Sequence, residues 1–204
     1  MQPDRRALPA YVEALTRIIR RIVVSLGDPN PKILPIKLYV AGGAALHLLT
    51  GARVTEDIDG VFSRRVLLGD DLEVSYRDAD GRARVLYFDR NYNDTLGLLH
   101  EDAYRDSEPL VLPGLDGKVI EVRLLSPTDL AVTKLARYSD QDSEDIATLA
   151  REGLIDAKTL RKRAEEALGG YVGNLKSVQI SIDLACKLVE VHGSSAKKPR
   201  KAGR

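Results

Sequence analysis

Two acids one residue apart, Asp57 and Asp59, are the first side chains in this sequence whose spacing carries chemistry. In a strand alternate residues share a face, so both carboxylates emerge together while Ile58 points into the core. Two like charges so close repel unless a cation lies between them. Mg2+ (or Mn2+) suits such a pair, because it prefers carboxylate oxygens and keeps water and phosphate oxygens in its remaining positions. Upstream, Gly42 and Gly43 follow an apolar run and open a short apolar helix that Gly51 ends. A strand, a glycine pair and a helix N-terminus present backbone N–H groups and a positive dipole end to an anion. Without side chains there, a triphosphate can approach the backbone closely. The G-x-G-x-x-G spacing and a Walker lysine are both absent, so this is neither of those phosphate-binding designs. Each feature taken singly also has a plain reading, as surface strand acids and as a tight turn.

Together the two features place a phosphate cradle beside a metal clamp, a layout that resembles the polymerase-β-like nucleotidyltransferase superfamily. Residues 40–47 (VAGGAALH) and 53–59 (RVTEDID) are similar, more particularly, to the AbiEii/MenT-type toxin nucleotidyltransferases. Residues 127–137 (PTDLAVTKLAR) and 142–149 (DSEDIATL) resemble that family's lysine motif and the acidic motif after it. The resemblance spans residues 37–150, with no clear match between 64 and 120. It implies a nucleoside triphosphate as substrate, Asp57 and Asp59 as metal ligands, and Gly42, Gly43, Arg53, Thr55 and Arg137 as nucleotide contacts. Lys134 would neutralise the triphosphate or the leaving group, and Asp145 would orient Lys134 or assist the acceptor. The acceptor would be an RNA such as tRNA, or a protein hydroxyl, in a toxin–antitoxin or phage-defence setting with a cognate antitoxin. Two-metal members carry a third carboxylate on a later strand; Glu121 is the candidate, against a plain reading as a glutamate paired with its neighbour Arg123. A Lys134–Asp145 ion pair is the corresponding plain reading for Asp145, since a buried charge needs a partner. Two other functions stay open: a non-catalytic nucleotide- or RNA-binding module, and a protein whose helical half docks a partner.

The elements that must position these residues follow from periodicity. Residues 9–26 set Tyr11, Leu15, Ile18, Ile19 and Ile22 at helical spacing. Residues 37–40 read as a buried strand, residues 57–62 as a second one, and residues 72–76 and 82–88 as a hairpin around Asp78-Ala79-Asp80-Gly81. Residues 91–111 are open between helix and irregular chain. Residues 118–124 alternate as a half-buried strand. From Ser126 the pattern turns helical. Ser126-Pro127-Thr128-Asp129 is a start signal for a helix carrying Thr133, Lys134 and Arg137 on one polar arc. Further helices start near Asp142, after Asp156 and after Asn174, the last running to about His192. The expected fold is α+β: a mixed nucleotidyltransferase-like sheet with an N-terminal helix over residues 1–125, a helical part over 126–193 packed on it, and a disordered basic tail over 194–204. That tail could hold RNA electrostatically, or simply be solvated.

The 204 residues, 44% apolar and 30% charged, suffice for a packed core and exclude a disordered or fibrous chain. A net charge of +1 gives no global field that would attract nucleic acid. The one cysteine, Cys186, sits in an apolar helical pattern and cannot form a disulfide within the chain. No apolar run approaches a membrane span, and the start of the chain has no signal-peptide pattern, so a cytoplasmic location is expected. His47, His100 and His192 form no ligand spacing, and packing accounts for His47.

Overall fold

The computed structural model describes residues 1–94 and 97–196. The chain divides into two compact units: residues 1–93 with 104–125, and residues 94–103 with the chain from Ser126 onward. Residues 94–103 thus belong with the helices and not with the sheets. It is an α+β protein.

In the first unit, helix α1 (Pro9–Ser25) begins with proline at its first position and turns Tyr11, Leu15, Ile18, Ile19 and Ile22 into the core. Strand β1 (Ile36–Val40) feeds helix α2 (Gly42–Thr50), which Gly51 closes in a left-handed conformation. After that helix come β2 (Asp57–Ile58), β3 (Gly60–Phe62), β4 (Glu73–Arg77), β5 (Ala83–Phe88), β6 (Glu108–Pro109) and β7 (Ile120–Leu124). One sheet runs β3-β1-β7-β6, with β7 parallel to β1 and the outer strands antiparallel to their neighbours. The other runs β2-β5-β4, a hairpin of β4 and β5 with β2 added in parallel. The core faces alternate as the sequence pattern requires: Ile120, Val122 and Leu124 are buried, and so are Val74, Leu86 and Phe88.

The single strand expected over residues 57–62 is corrected. The chain leaves one sheet after Ile58 and joins the other at Gly60, with Asp59 at the crossing. Gly60 permits this, because a Cβ there would lie 3.0 Å from both the Leu38 Cδ1 and the Phe88 Cε2 atoms. Strand β6 lies in the stretch that periodicity left open.

In the second unit, Ser126 caps α3 (Pro127–Thr133), Ser139 closes a capping box on α4 (Asp140–Arg151), and Asp156 caps α5 (Ala157–Ala167). The long α6 (Leu175–Ala196) packs on α4 and α5. Helix α3 ends earlier than expected, so Lys134 and Arg137 do not share a helical arc. Lys134 is its last cap, and Tyr138 adopts a left-handed backbone, φ 46°, that turns the chain into α4. Helix α6 outlasts its expected end and takes in residues 194–196 of the expected tail. Residues 197–204 of that tail, like Thr95 and Leu96, lie outside the described residues. Among the described residues, no helix is long and apolar enough to cross a membrane.

Candidate active site

The glycine turn and the acid pair meet. Gly42 has φ +58°, and a Cβ built there would lie 1.7 Å from the Asp59 Oδ2 atom. The carboxylate therefore fills the space that a side chain would need. Backbone fixes the approach from the other side, since Ala41 N–H donates to the Asp59 carbonyl at 2.9 Å. Gly43 plays the same part toward the next loop: its Cβ would come 2.9 Å from the Thr55 Cβ and 3.2 Å from an Arg53 guanidinium nitrogen. The N-cap residue of α2 is Ala41, which has no side-chain oxygen to cap the first turn. Thr55 donates its hydroxyl to the Asp57 Oδ1 atom. Gly42, Gly43, Arg53, Thr55, Asp57 and Asp59 thus form one constellation, partly exposed at the N-terminal end of α2.

Strand β5 brings two more groups to the acid face. Tyr87 stands directly beside Asp57 in the parallel register. Burial, then the charges of Asp57, Asp89, Glu56 and Asp59, push its phenol above the ordinary range. Asp89 follows one step beyond the strand; its N–H donates to the Ile58 carbonyl, setting it alongside Asp59. Its Oδ1 accepts the Asn91 N–H at 2.8 Å. Glu121 is not brought to this group. It pairs in register with Lys37 and accepts from Arg123, four residues down β7 from the level where β1 meets Asp59.

Two buried rings support the turn from behind. His47 on α2 is held at both nitrogens: Nε2 accepts the Leu8 N–H at 3.0 Å, and Nδ1 lies 2.6 Å from the Ala52 carbonyl. This fixes a neutral tautomer with the proton on Nδ1. Burial lowers its pKa, while the Ala52 bond opposes that shift. Tyr11 packs edge-on against His47 with ring centroids 4.8 Å apart. It is fully buried, and its hydroxyl has no hydrogen-bond partner among the described residues. Burial first, then Tyr76 and the charges of Asp57 and Asp59, raise its pKa.

Lys134, Arg137 and Asp145 lie in the second unit and form a cluster there. The Lys134 ammonium donates to Asp145 Oδ2 at 2.6 Å and lies 3.7 Å from Asp142 Oδ1. Gln141 donates to the other Asp145 oxygen at 3.0 Å. Arg137 grips Asp142 through two nitrogens, each at 2.8 Å, in the fork geometry that suits a carboxylate. Burial works to raise the Asp142 pKa, but the Arg137 and Ser139 hydrogen bonds and the Lys134 charge outweigh it and hold the carboxyl well below the usual range. A second pair, the half-buried Arg163 on the buried Asp129 at 2.7 and 3.0 Å, ties α5 to α3.

Residues 14–184 match the family described as nucleotidyltransferase of unknown function, DUF6036. The chain belongs to that family. No curated protein and no solved structure matches it.

Within this nucleotidyltransferase-family chain, the groups that sequence reasoning missed are Tyr87 and Asp89. A signal was present: Tyr87-Phe88-Asp89 alternates like Asp57-Ile58-Asp59, polar on either side of a buried apolar residue. Only the parallel pairing of β2 with β5 sets the two triplets side by side. As for a metal, among the described residues no three His, Cys, Asp or Glu side chains converge closely enough to hold an ion by themselves. The donor set still fits Mg2+, which takes one or two carboxylates and fills its other positions with water and phosphate oxygens.

Proposed function

We propose that the protein transfers a nucleoside monophosphate from a nucleoside triphosphate to a hydroxyl acceptor, releasing pyrophosphate. One observation carries this reading: the Asp59 carboxylate lies against Gly42 at the start of α2, with Asp57 beside it. A triphosphate on the first turn of α2 would therefore sit within reach of both acids. Asp57 and Asp59 would hold Mg2+, with Asp89 alongside as a further acid, and the ion would offset charge on the phosphate oxygens. Gly42 and Gly43 let the phosphates approach the backbone, and Arg53 and Thr55 border them. The acceptor oxygen forms a bond to the α-phosphorus as the bond to the β-bridging oxygen breaks. The acceptor proton passes to a site carboxylate or to water.

Lys134 and Asp145 receive a structural role in this proposal. Their charges are already matched to each other and to Asp142 and Arg137, so the cluster as it stands holds the start of α4 to the end of α3. The proposed acceptor, tRNA or another RNA or a protein hydroxyl, and a toxin role countered by an antitoxin, rest on the sequence resemblance alone. Non-catalytic nucleotide binding is the competing reading, favoured by the pairing of Glu121 with Arg123 away from the acids.

The test is incubation with each α-labelled nucleoside triphosphate, Mg2+ and total tRNA or cell lysate, beside Asp59→Asn. Label on an acceptor, absent with the variant, is the expected result. Triphosphate binding without transfer to any acceptor would replace the enzyme by the binding module.

A further inference from the structure

Helix α6 is apolar on two opposite faces, and among the described residues the fold buries one of them. Val178, Ile182, Ala185 and Val189 are buried against the unit. On the other side Ile180 is 61% exposed and Leu184 48%, with Leu188 half-buried, and the stripe continues to Val191 at 65%. At about 100° per residue these four positions fall within roughly 80° of one another, so they form one ridge along the helix and not a scatter. Isolated exposed apolar residues are normal on a surface, but a continuous ridge on a 22-residue helix is the mark of a helix seam.

The charges beside the ridge say what fits it. Along one edge lie Lys176, Asp183, Lys187 and Glu190, with Asp183 also bound by Arg161 at 2.7 Å. Two copies of α6 pairing in parallel would bring unlike edges together, setting these charges against the opposite edge, which carries Ser177, Ser181 and His192 and no carboxylate, lysine or arginine to match them. Antiparallel pairing about Leu184 does the reverse. It brings like edges together with opposite sequence direction, so that Lys176 faces Glu190 of the other copy and Lys187 comes beside Asp183. Ile180 then meets Leu188, and Leu184 meets itself at the two-fold axis. The same patch serves both partners, as a two-fold interface requires. We infer that the outer face of α6 is a self-association surface, joining two copies of this chain through an antiparallel helix pair centred on Leu184. A seam of one helix on each side is small, so the dimer is a weak, reversible one. Nothing in this depends on the nucleotidyl-transfer reading, and each can fail without the other.

Sedimentation equilibrium of the full chain over roughly 5–200 µM is the test, since mass action shifts a reversible dimer across such a range. The expected result is a monomer–dimer equilibrium whose dissociation constant rises at least about tenfold in Leu184→Glu, with the helical circular dichroism unchanged. Lys176→Glu weakens the dimer, and adding Glu190→Lys restores it. A parallel seam would show no such rescue, because it never brings Lys176 to Glu190. A chain that stays monomeric throughout, including one that retains some other protein through this face, overturns the inference. So does a dimer indifferent to Leu184→Glu.

Discussion

Replacing Gly42 by alanine tests the constellation at its tightest point. The backbone there has φ +58°, and an L-residue in that region costs about 1–2 kcal/mol. For a chain of this size each kcal/mol lowers Tm by roughly 2–4 °C, so the backbone alone accounts for about 2–8 °C. The added methyl carbon would also stand 1.7 Å from Asp59 Oδ2 and 2.7 Å from its Cγ. The obstacle is the end of a side chain, so the fold can yield by rotating the carboxylate away. Function cannot yield in the same way if that carboxylate holds the cation. Gly27→Ala is the matched control: Gly27 has φ +63° with nothing within 4 Å of its would-be Cβ. Both variants should lose a similar few degrees in thermal unfolding followed by circular dichroism. Only Gly42→Ala should also lose Mg2+-dependent nucleotide binding, by about tenfold or more, measured by calorimetry with a non-hydrolysable triphosphate. Binding within twofold of the wild type in Gly42→Ala would refute the placement of the phosphates against this turn.

Asp57→Asn keeps an acceptor for the Thr55 hydroxyl and removes one of two repelling charges, so the metal-free protein should be as stable as the wild type or more so, while any Tm rise with Mn2+ and nucleotide disappears. Lys134→Met takes the ammonium from the buried Asp145 carboxylate, while Asp142 keeps Arg137, and should cost about 3–5 kcal/mol in urea unfolding; adding Asp145→Leu should recover much of it, and an unchanged midpoint in the single variant would show the pair to be dispensable. His47 has a folded pKa below its ordinary 6.5, so the unfolded chain takes up a proton first and stability falls as pH drops from about 6.5 toward the folded value; His47→Gln should flatten that part of the stability–pH curve. Asp142, held low, contributes a further loss only below about pH 4, visible as acid unfolding that Asp142→Asn shifts. Tyr11→Phe removes a buried hydroxyl that has no partner among the described residues and should leave stability unchanged or raise it by about 1 kcal/mol; a clear loss would mean that the hydroxyl is satisfied through internal water.

Local signals in the sequence were strong where a residue's role depends on its near neighbours. The spacing of Tyr11, Leu15, Ile18 and Ile22, the caps at Ser126 and Asp156, and the alternation of residues 120–124 each follow from the geometry of one element, and each element formed. The break of α3 at Lys134 was not legible, because helical periodicity continues through Leu135 while ion pairs with α4 reward the turn. The division of residues 57–62 between two sheets was hidden for a similar reason: alternation describes a strand's faces and not its partners. The amino-acid sequence by itself determined that Gly42, Gly43, Asp57 and Asp59 stand in the order of a phosphate turn and an acid pair. Tertiary structure alone decided that the Asp59 carboxylate fills the space a Gly42 side chain would need, that Tyr87 and Asp89 join the acid face, and that Glu121 does not. Those are questions of strand register and of which backbones approach, fixed by packing between segments distant in the chain, which no local spacing encodes.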